Sequence, residues 1–351
     1  MQSGLAALAI GFLVALTAAC AGAPAREPAV SEPEASLVTR SRVVMGSSLE
    51  LTAYTADEPG AVAAFGAVFA EFDRLDGLLS VWKPGSDVTR INAAAGMIPV
   101  PVSADTIAVL TAARQVSDWT GGKFDVTFGA LSGLWKFDQD QDGTIPARAA
   151  VAARLPAVDY TALQIDPATR TAFLRRPGMR VHLGGIGKGF AVDRGAAILR
   201  ARGVGDFMIQ SGGDLFVSGR RGERPWRLGL RDPRGPEDRS FATLDLSNGT
   251  FSTSGDYERF FITNGVRYHH ILDPDLGEPA RLCRSVTIVA NTAVLADALS
   301  TGVFVLGPEK GMALIERLPD VDGVVVSADN RLLVSSGLVG KLTVIAPPTD
   351  R

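Results

Sequence analysis

This sequence predicts an α+β fold, and three observations carry that reading. Runs of period 2 and runs of period 3.6 both recur along its 351 residues. They mix without the strict alternation that builds a parallel βαβ sheet. The composition, 46% hydrophobic and 21% charged, is that of a globular enzyme with ample material for a core.

The elements follow in order. "SRVVMGSSLELTAY", from Ser41, alternates like a strand. "AVAAFGAVFAEFDRLDGLLS" spaces apolar residues three and four apart, an amphipathic helix. "SADTIAVLTAARQVSDWTGG" is a second helix, opened by Ser103 or Asp105 and closed by two glycines. Strands are expected at "LQIDPATRTAFLRRP" and "MRVHLGG", then a helix from about Ala191 to Arg202. "DFMIQSGGDLFVSG", "WRLGLRDP", "FATLDLSNGTFSTSG", "RYHHILDP" and "CRSVTIVA" read as strands. A helix at "TAVLADALSTGVFVLG" precedes short strands in "GVVVSADNRLLVSSGL" and "LTVIAP".

The N-terminal run "LAALAIGFLVALTAAC" is too short for a comfortable membrane span and is closed by small residues, so residues 1–19 are expected to be an export signal. Cys20 follows Leu16-Thr17-Ala18-Ala19, similar to a bacterial lipoprotein signal whose cysteine is lipidated. Thr17 stands where leucine is usual, and "MQSG" carries no basic residue; a plain signal peptide is the alternative. Residues 20–40, rich in Ala, Pro and Glu, are expected to be a flexible membrane tether, with the folded domain at 41–347. The only other cysteine, Cys283, then has no partner for a disulfide and reads as a structural thiol. A formal charge of −3, 7% aromatic content and no interleaving of basic with aromatic residues set nucleic acid aside as a partner.

Several motifs bear on chemistry. "VHLGGIGKGFAVDRGAAIL" is a strand, a glycine-rich turn and a helix, able to bring backbone amides, Lys188 and a helix N-terminus to an anion; a merely tight turn is the alternative. It fits neither a Walker A loop nor GxGxxG. "FDQDQDG" opens like a calcium loop through Asp138, Asp140 and Asp142, but Ala149 holds the twelfth position where glutamate belongs, so a solvated acidic turn is expected. His269 and His270 are strand neighbours, so at most one enters a given site. In the apolar helix near the end, Asp297 and Thr301 lie four apart and share a face. A buried carboxylate needs compensation: an oxygen-only set for Mg²⁺ or Ca²⁺ is one reading, and a carboxylate capping nearby backbone is the other.

Taken together, "GGKFDVTFGALSGLW", "LGGIGKGFAVD", "SGGDLFVSG", "STSGDYERFF", "HHILDPDLG" and "ADALSTGVFVLG" resemble, in order, the blocks of the FAD:protein FMN transferase (ApbE) family. "MGSSLELTAY" and "LLSVWKPGSDVTRINAAAG" match its opening blocks, and the resemblance spans Arg42 to Ile345. It implies a T-fold-like α+β core and an exported enzyme that uses FAD as substrate. With Mg²⁺ such an enzyme moves the FMN half onto a threonine or serine hydroxyl of another exported protein and releases AMP. By position, Asp297, Thr301 and the backbone of Gly185 would hold the Mg²⁺. Asp297 or His270 would take the acceptor proton, and Lys188 and the glycine amides would hold phosphate. Met45, Trp82, Lys123, Phe124, Asp125 and Ile271 would contact FAD. His182 stands where the family usually has aspartate, which exchanges an acceptor-only group for a donor or acceptor. Two other readings use the same residues: an FAD pyrophosphatase giving FMN and AMP, and a lipoprotein that binds FAD without turnover.

Overall fold

Residues 34–137 and 141–350 are described by a computed structural model. Successive residues of a strand face opposite sides, and here both sides are covered. Phe216 and Val325 bury in one apolar cluster, while their neighbours Leu215, Val217, Val324 and Val326 bury in another.

The chain opens with β1 (Ser36–Val44) and β2 (Ser47–Thr55), then α1 (Glu58–Leu79) and α2 (Asp87–Ala93). β3 (Val100–Pro101), α3 (Ala104–Thr120) and α4 (Arg148–Arg154) lead to β4 (Leu163–Asp166) and β5 (Thr171–Leu174). After α5 (Gly187–Ala201) come β6 (Phe207–Ser211), β7 (Asp214–Ser218), β8 (Trp226–Arg231), β9 (Ser240–Leu246) and β10 (Asn248–Gly255). Two small hairpins follow, β11 (Phe260–Thr263) with β12 (Val266–His269), and β13 (Leu272–Asp273) with β14 (Glu278–Pro279). β15 (Cys283–Ala290), α6 (Ala293–Leu306), α7 (Pro308–Ile315), β16 (Asp322–Ser327), β17 (Leu332–Val334) and β18 (Leu342–Val344) come last.

An eight-stranded sheet in the order β1-β2-β6-β7-β10-β15-β16-β17, antiparallel at every pairing, forms the centre. The larger cluster joins one face of it to α1, α3, α5 and α6 through Phe72, Leu110, Leu199 and Phe304. The smaller cluster joins the other face to the sheet β8-β9-β18 through Trp226, Leu228 and Leu244. The architecture is α+β with antiparallel sheets, as expected.

Four boundaries differ from expectation. The first strand starts at Ser36, so the expected tether stops short of residue 40; β1 shows no clean alternation because it is an exposed edge strand. At the other end the fold reaches past 347, where the Thr349 amide and hydroxyl donate to Asp232. "MRVHLGG" forms only an isolated parallel bridge, Arg180 with Phe128, and no full strand, since Asn92 takes both the amide and the carbonyl of Val181 (2.6 and 3.0 Å). The helix expected from Ala191 starts at Gly187, with Gly189 in its first turn allowing a close approach to α6 that a bulkier residue would block. The signal, Cys20, Asp138 and Asp140 lie outside the described residues. Among the described residues no helix is long and apolar enough to cross a membrane.

Candidate active site

The site is built where α5 crosses α6. Only glycine fits at 189: a Cβ there would lie 2.2 Å from the Ala293 carbonyl oxygen and 2.7 Å from Asp297 Cβ. That closeness lets each helix serve the other's unpaired first-turn amides. Asp297 Oδ2 accepts the Gly189 amide at 2.9 Å, and Asp193 accepts the amides of Ala293 (2.8 Å) and Val294 (2.9 Å). The two positive helix ends therefore converge on one place, which favours anions.

Charge is concentrated there. Lys188 Nζ lies 2.6 Å from Asp214 Oδ2 and 3.9 Å from Asp297 Oδ2. Ser252 donates its hydroxyl to the other Asp214 oxygen. Burial works against the Lys188 ammonium, yet Asp214 and Asp297 outweigh it and hold its pKa above the ordinary value. Burial, then repulsion from Asp214, push the Asp297 carboxyl up to about 7, against the pull of Lys188 and the Gly189 amide. Two carboxylates thus share one ammonium in a dry setting. A further cation would relieve the imbalance.

Oxygen groups for such a cation lie close by. Thr301 shares the Asp297 face of α6, and its hydroxyl is 3.2 Å from Ser254 Oγ, which also meets Ser300 Oγ at 2.8 Å. The Gly185 backbone packs on this hydroxyl: a Cβ at 185 would sit 3.3 Å from Thr301 Oγ1 and 3.4 Å from Phe124 Cε2. Among the described residues no three His, Cys, Asp or Glu side chains form a metal cage. One carboxylate and one hydroxyl, with the Gly185 backbone packed beside them, instead form a partial set, of the kind a hard cation completes with phosphate oxygens. The capping reading of Asp297 also holds, for its Oδ2 alone.

The two histidines part company as strand alternation requires. His269 is buried; its Nε2 donates to the Ala280 carbonyl at 2.7 Å, and burial pushes its pKa down to about 4. His270, just past β12, donates its amide to the Arg259 carbonyl at 3.1 Å. Its Nδ1 is buried with no hydrogen-bond partner among the described residues. Burial, with Arg259, His269 and Lys188 nearby, holds its pKa well below the ordinary value, so the ring is neutral at neutral pH.

The remaining expected contacts fall into two groups. Met45 takes a left-handed backbone (φ 50°) at the β1–β2 turn, and its Cε lies 3.8 Å from a Cβ built at Gly187, beside the glycine turn. Trp82 is 74% exposed on the loop after α1. Phe124 and Ile271 are buried and contribute apolar surface. Lys123 is committed to Asp273 (2.7 Å) and Asp275 (2.8 Å), bracing the turn after Ile271. Asp125 spends one oxygen on its own turn, accepting from Thr127 N and Oγ1, and the other on the distant Tyr160 amide, so its carboxylate shapes the wall from behind. His182 Nδ1 accepts the Gly184 amide at 3.1 Å and its ring lies against Phe128. The imidazole thus caps the glycine turn as an acceptor, a bond that a carboxylate could also make.

Sequence reasoning missed Asp214, Ser252 and Asp193. Asp214 carried a signal: it follows "SGG" and opens "DLFVS", where every residue is buried. Cys283 is buried and its thiol is pushed up to about 12, consistent with a structural thiol. Asp142 pairs with Lys136 at 2.6 Å in an exposed turn.

Comparison with known proteins bears on this site. The ApbE family model matches residues 45–325. The FAD:protein FMN transferase of Treponema pallidum is 32% identical over 323 residues, covering 88% of this chain and 89% of that protein. A FAD:protein FMN transferase of Klebsiella pneumoniae is 34% identical over 278 residues, 78% of this chain and 79% of that one. Among solved structures, the ApbE protein of Thermotoga maritima superposes with a TM-score of 0.80 at 30% identity, covering 87% of this chain and 99% of that one. The flavin transferase ApbE of Vibrio cholerae gives 0.78 at 27% identity, covering 88% and 99%.

Proposed function

The chain belongs to the ApbE family, and on that premise we propose that it transfers the FMN half of FAD to a protein. In this reading the acceptor is a threonine or serine hydroxyl, Mg²⁺ is required, and AMP is released. The observation that supports it best is the under-compensated Asp297, set beside Thr301, Gly185 and Lys188 at two converging helix ends.

Phosphoryl transfer asks a protein mainly for alignment and charge neutralisation. Lys188 and the amides at the start of α5 bind the FAD pyrophosphate, and Asp214 with Ser252 keeps the Lys188 ammonium in place. Asp297, Thr301 and the Gly185 backbone would hold Mg²⁺. When bound, the ion neutralises the pyrophosphate and stabilises the departing AMP. The acceptor oxygen bonds to the phosphorus of the FMN half as the bond to the AMP oxygen breaks. Its proton has two candidate acceptors, the neutral His270 ring and Asp297. Met45 and the exposed Trp82 cover the flavin or adenine, and Phe124 and Ile271 line the wall.

The expected export signal and lipidated Cys20 fit an enzyme working on exported acceptors at the membrane surface. The test mixes the mature protein with FAD, Mg²⁺ and an acceptor bearing an exposed Thr or Ser. Flavin fluorescence retained on the denatured acceptor, with AMP released and both lost in Asp297→Ala, is the expected result. Free FMN and AMP with a verified acceptor would make the protein a pyrophosphatase. Intact FAD would leave a binding protein.

A further inference from the structure

Beside the β11–β12 hairpin, lined in part by Arg267 and His269 of β12, lies a cavity of about 170 Å³. Four guanidiniums line it, those of Arg234, Arg267, Arg281 and Arg284, and Asp256 is its only lining carboxylate. Asp256 is already spent on Arg234, which grips both of its oxygens at 2.7 Å. Arg284 is buried and satisfied by the carbonyls of Ala328 and Thr349, by Asn330, and by Asp350 reaching in at 3.3 Å from the exposed tail. Arg267 and Arg281 have no carboxylate within salt-bridge reach among the described residues. Arg281 Nη1 donates to the Arg267 carbonyl at 2.6 Å, and its guanidinium lies over the Tyr268 ring. Arg267 stacks on Phe260 at 3.7 Å, and its Nη1 is buried with no hydrogen-bond partner among the described residues.

A buried guanidinium N–H with nothing to donate to is costly, and so is packing like charges together. One small ligand removes both costs. We infer that this cavity is a binding site for a small free oxyanion of the phosphate class, held chiefly by Arg267 and Arg281. The volume admits an inorganic ion and not a nucleotide. The planar forks of arginine match the oxygens of such an ion. The site is separate from the FAD-binding turn and stands whether or not the proposed transfer does. It has a structural consequence, because Arg267 and His269 lie on β12, which leads directly into His270 and Ile271. An anion bound there braces that strand from behind.

The experiment is a thermal melt of the full protein against inorganic phosphate, with chloride replacing it at equal ionic strength. A saturable rise of about 3 °C or more is expected in the wild type. The rise should persist in Lys188→Gln, which weakens phosphate binding at the glycine turn, and vanish in Arg267→Gln. If Arg267→Gln does not fold, exposed Arg281→Gln decides, with at least a tenfold higher phosphate concentration needed for the same rise. No rise in the wild type overturns the inference, as does a rise lost in Lys188→Gln or unchanged in the arginine variants.

Discussion

Two aspartates in this molecule are equally hidden from solvent and differently treated. Asp87, at the start of α2, is 3% exposed, and Asp297 is 4% exposed. Asp87 Oδ2 accepts from the Ser103 amide (2.8 Å) and the Thr106 hydroxyl (2.7 Å), while Oδ1 pairs with Arg90. Burial alone would raise its pKa, but these bonds outweigh burial and lower it. Asp297 receives one amide, faces Asp214, and has its nearest ammonium at 3.9 Å; its carboxyl is pushed up to about 7. The contrast separates a carboxylate the fold has finished from one it has left under-compensated. Solvent exposure does not distinguish the two; Asp297 has more protein packed around it and fewer hydrogen bonds and opposite charges to offset that.

The contrast can be broken at either end. The largest effect is expected from Asp297→Asn, which keeps an acceptor for Gly189 but loses the charge. Flavin transfer should fall at least about 10²–10³-fold, while the melting temperature stays level or rises because repulsion with Asp214 is gone. Asp87→Ala should do the reverse, costing about 2–3 kcal/mol in urea melts by orphaning the Ser103 amide and the Thr106 hydroxyl. Transfer per folded molecule should be unchanged.

The two residues also give opposite pH slopes. In the metal-free protein Asp297 titrates at about 7 against an ordinary 3.8, so the folded state holds the extra proton between those values. Stability from this group therefore falls as pH rises through that window. The lowered Asp87 contributes stability above its unfolded pKa that is lost as pH falls through its folded one. Melts from pH 4 to 8 should show the Asp297 slope vanish in Asp297→Asn, and Mg²⁺ should oppose it in the wild type by favouring the ionised form. The smallest effect belongs to Trp82→Ala. Removing an exposed stacking surface should raise KM for FAD several-fold, about 1 kcal/mol, with kcat unchanged.

Much of this was legible in the sequence because it is periodic or local. Asp297 and Thr301 share a face by helical spacing, and the apolar residues around them announced burial. The glycine turn was visible from Gly184 to Gly189. Pairings across elements were not legible. Nothing in the chain ties Lys188 to Asp214 or Asp193 to Ala293, since those contacts exist only once α5, α6 and β7 are packed. Helix α2 was missed because Asp87–Ala93 spans too few residues to show a period. "MRVHLGG" misled because its apolar pattern is real, but Asn92, distant in sequence, takes the amide and carbonyl of Val181 and leaves only one bridge, to Phe128.

The most direct measurement is Mn²⁺ binding by electron paramagnetic resonance, with FAD present, for the wild type, Asp297→Asn and Asp87→Asn. An unfinished carboxylate at 297 predicts saturable binding in the wild type and in Asp87→Asn, weakened at least tenfold in Asp297→Asn. Equal binding by Asp297→Asn and the wild type would contradict it, and Asp297 would then be only a cap for the first turn of α5.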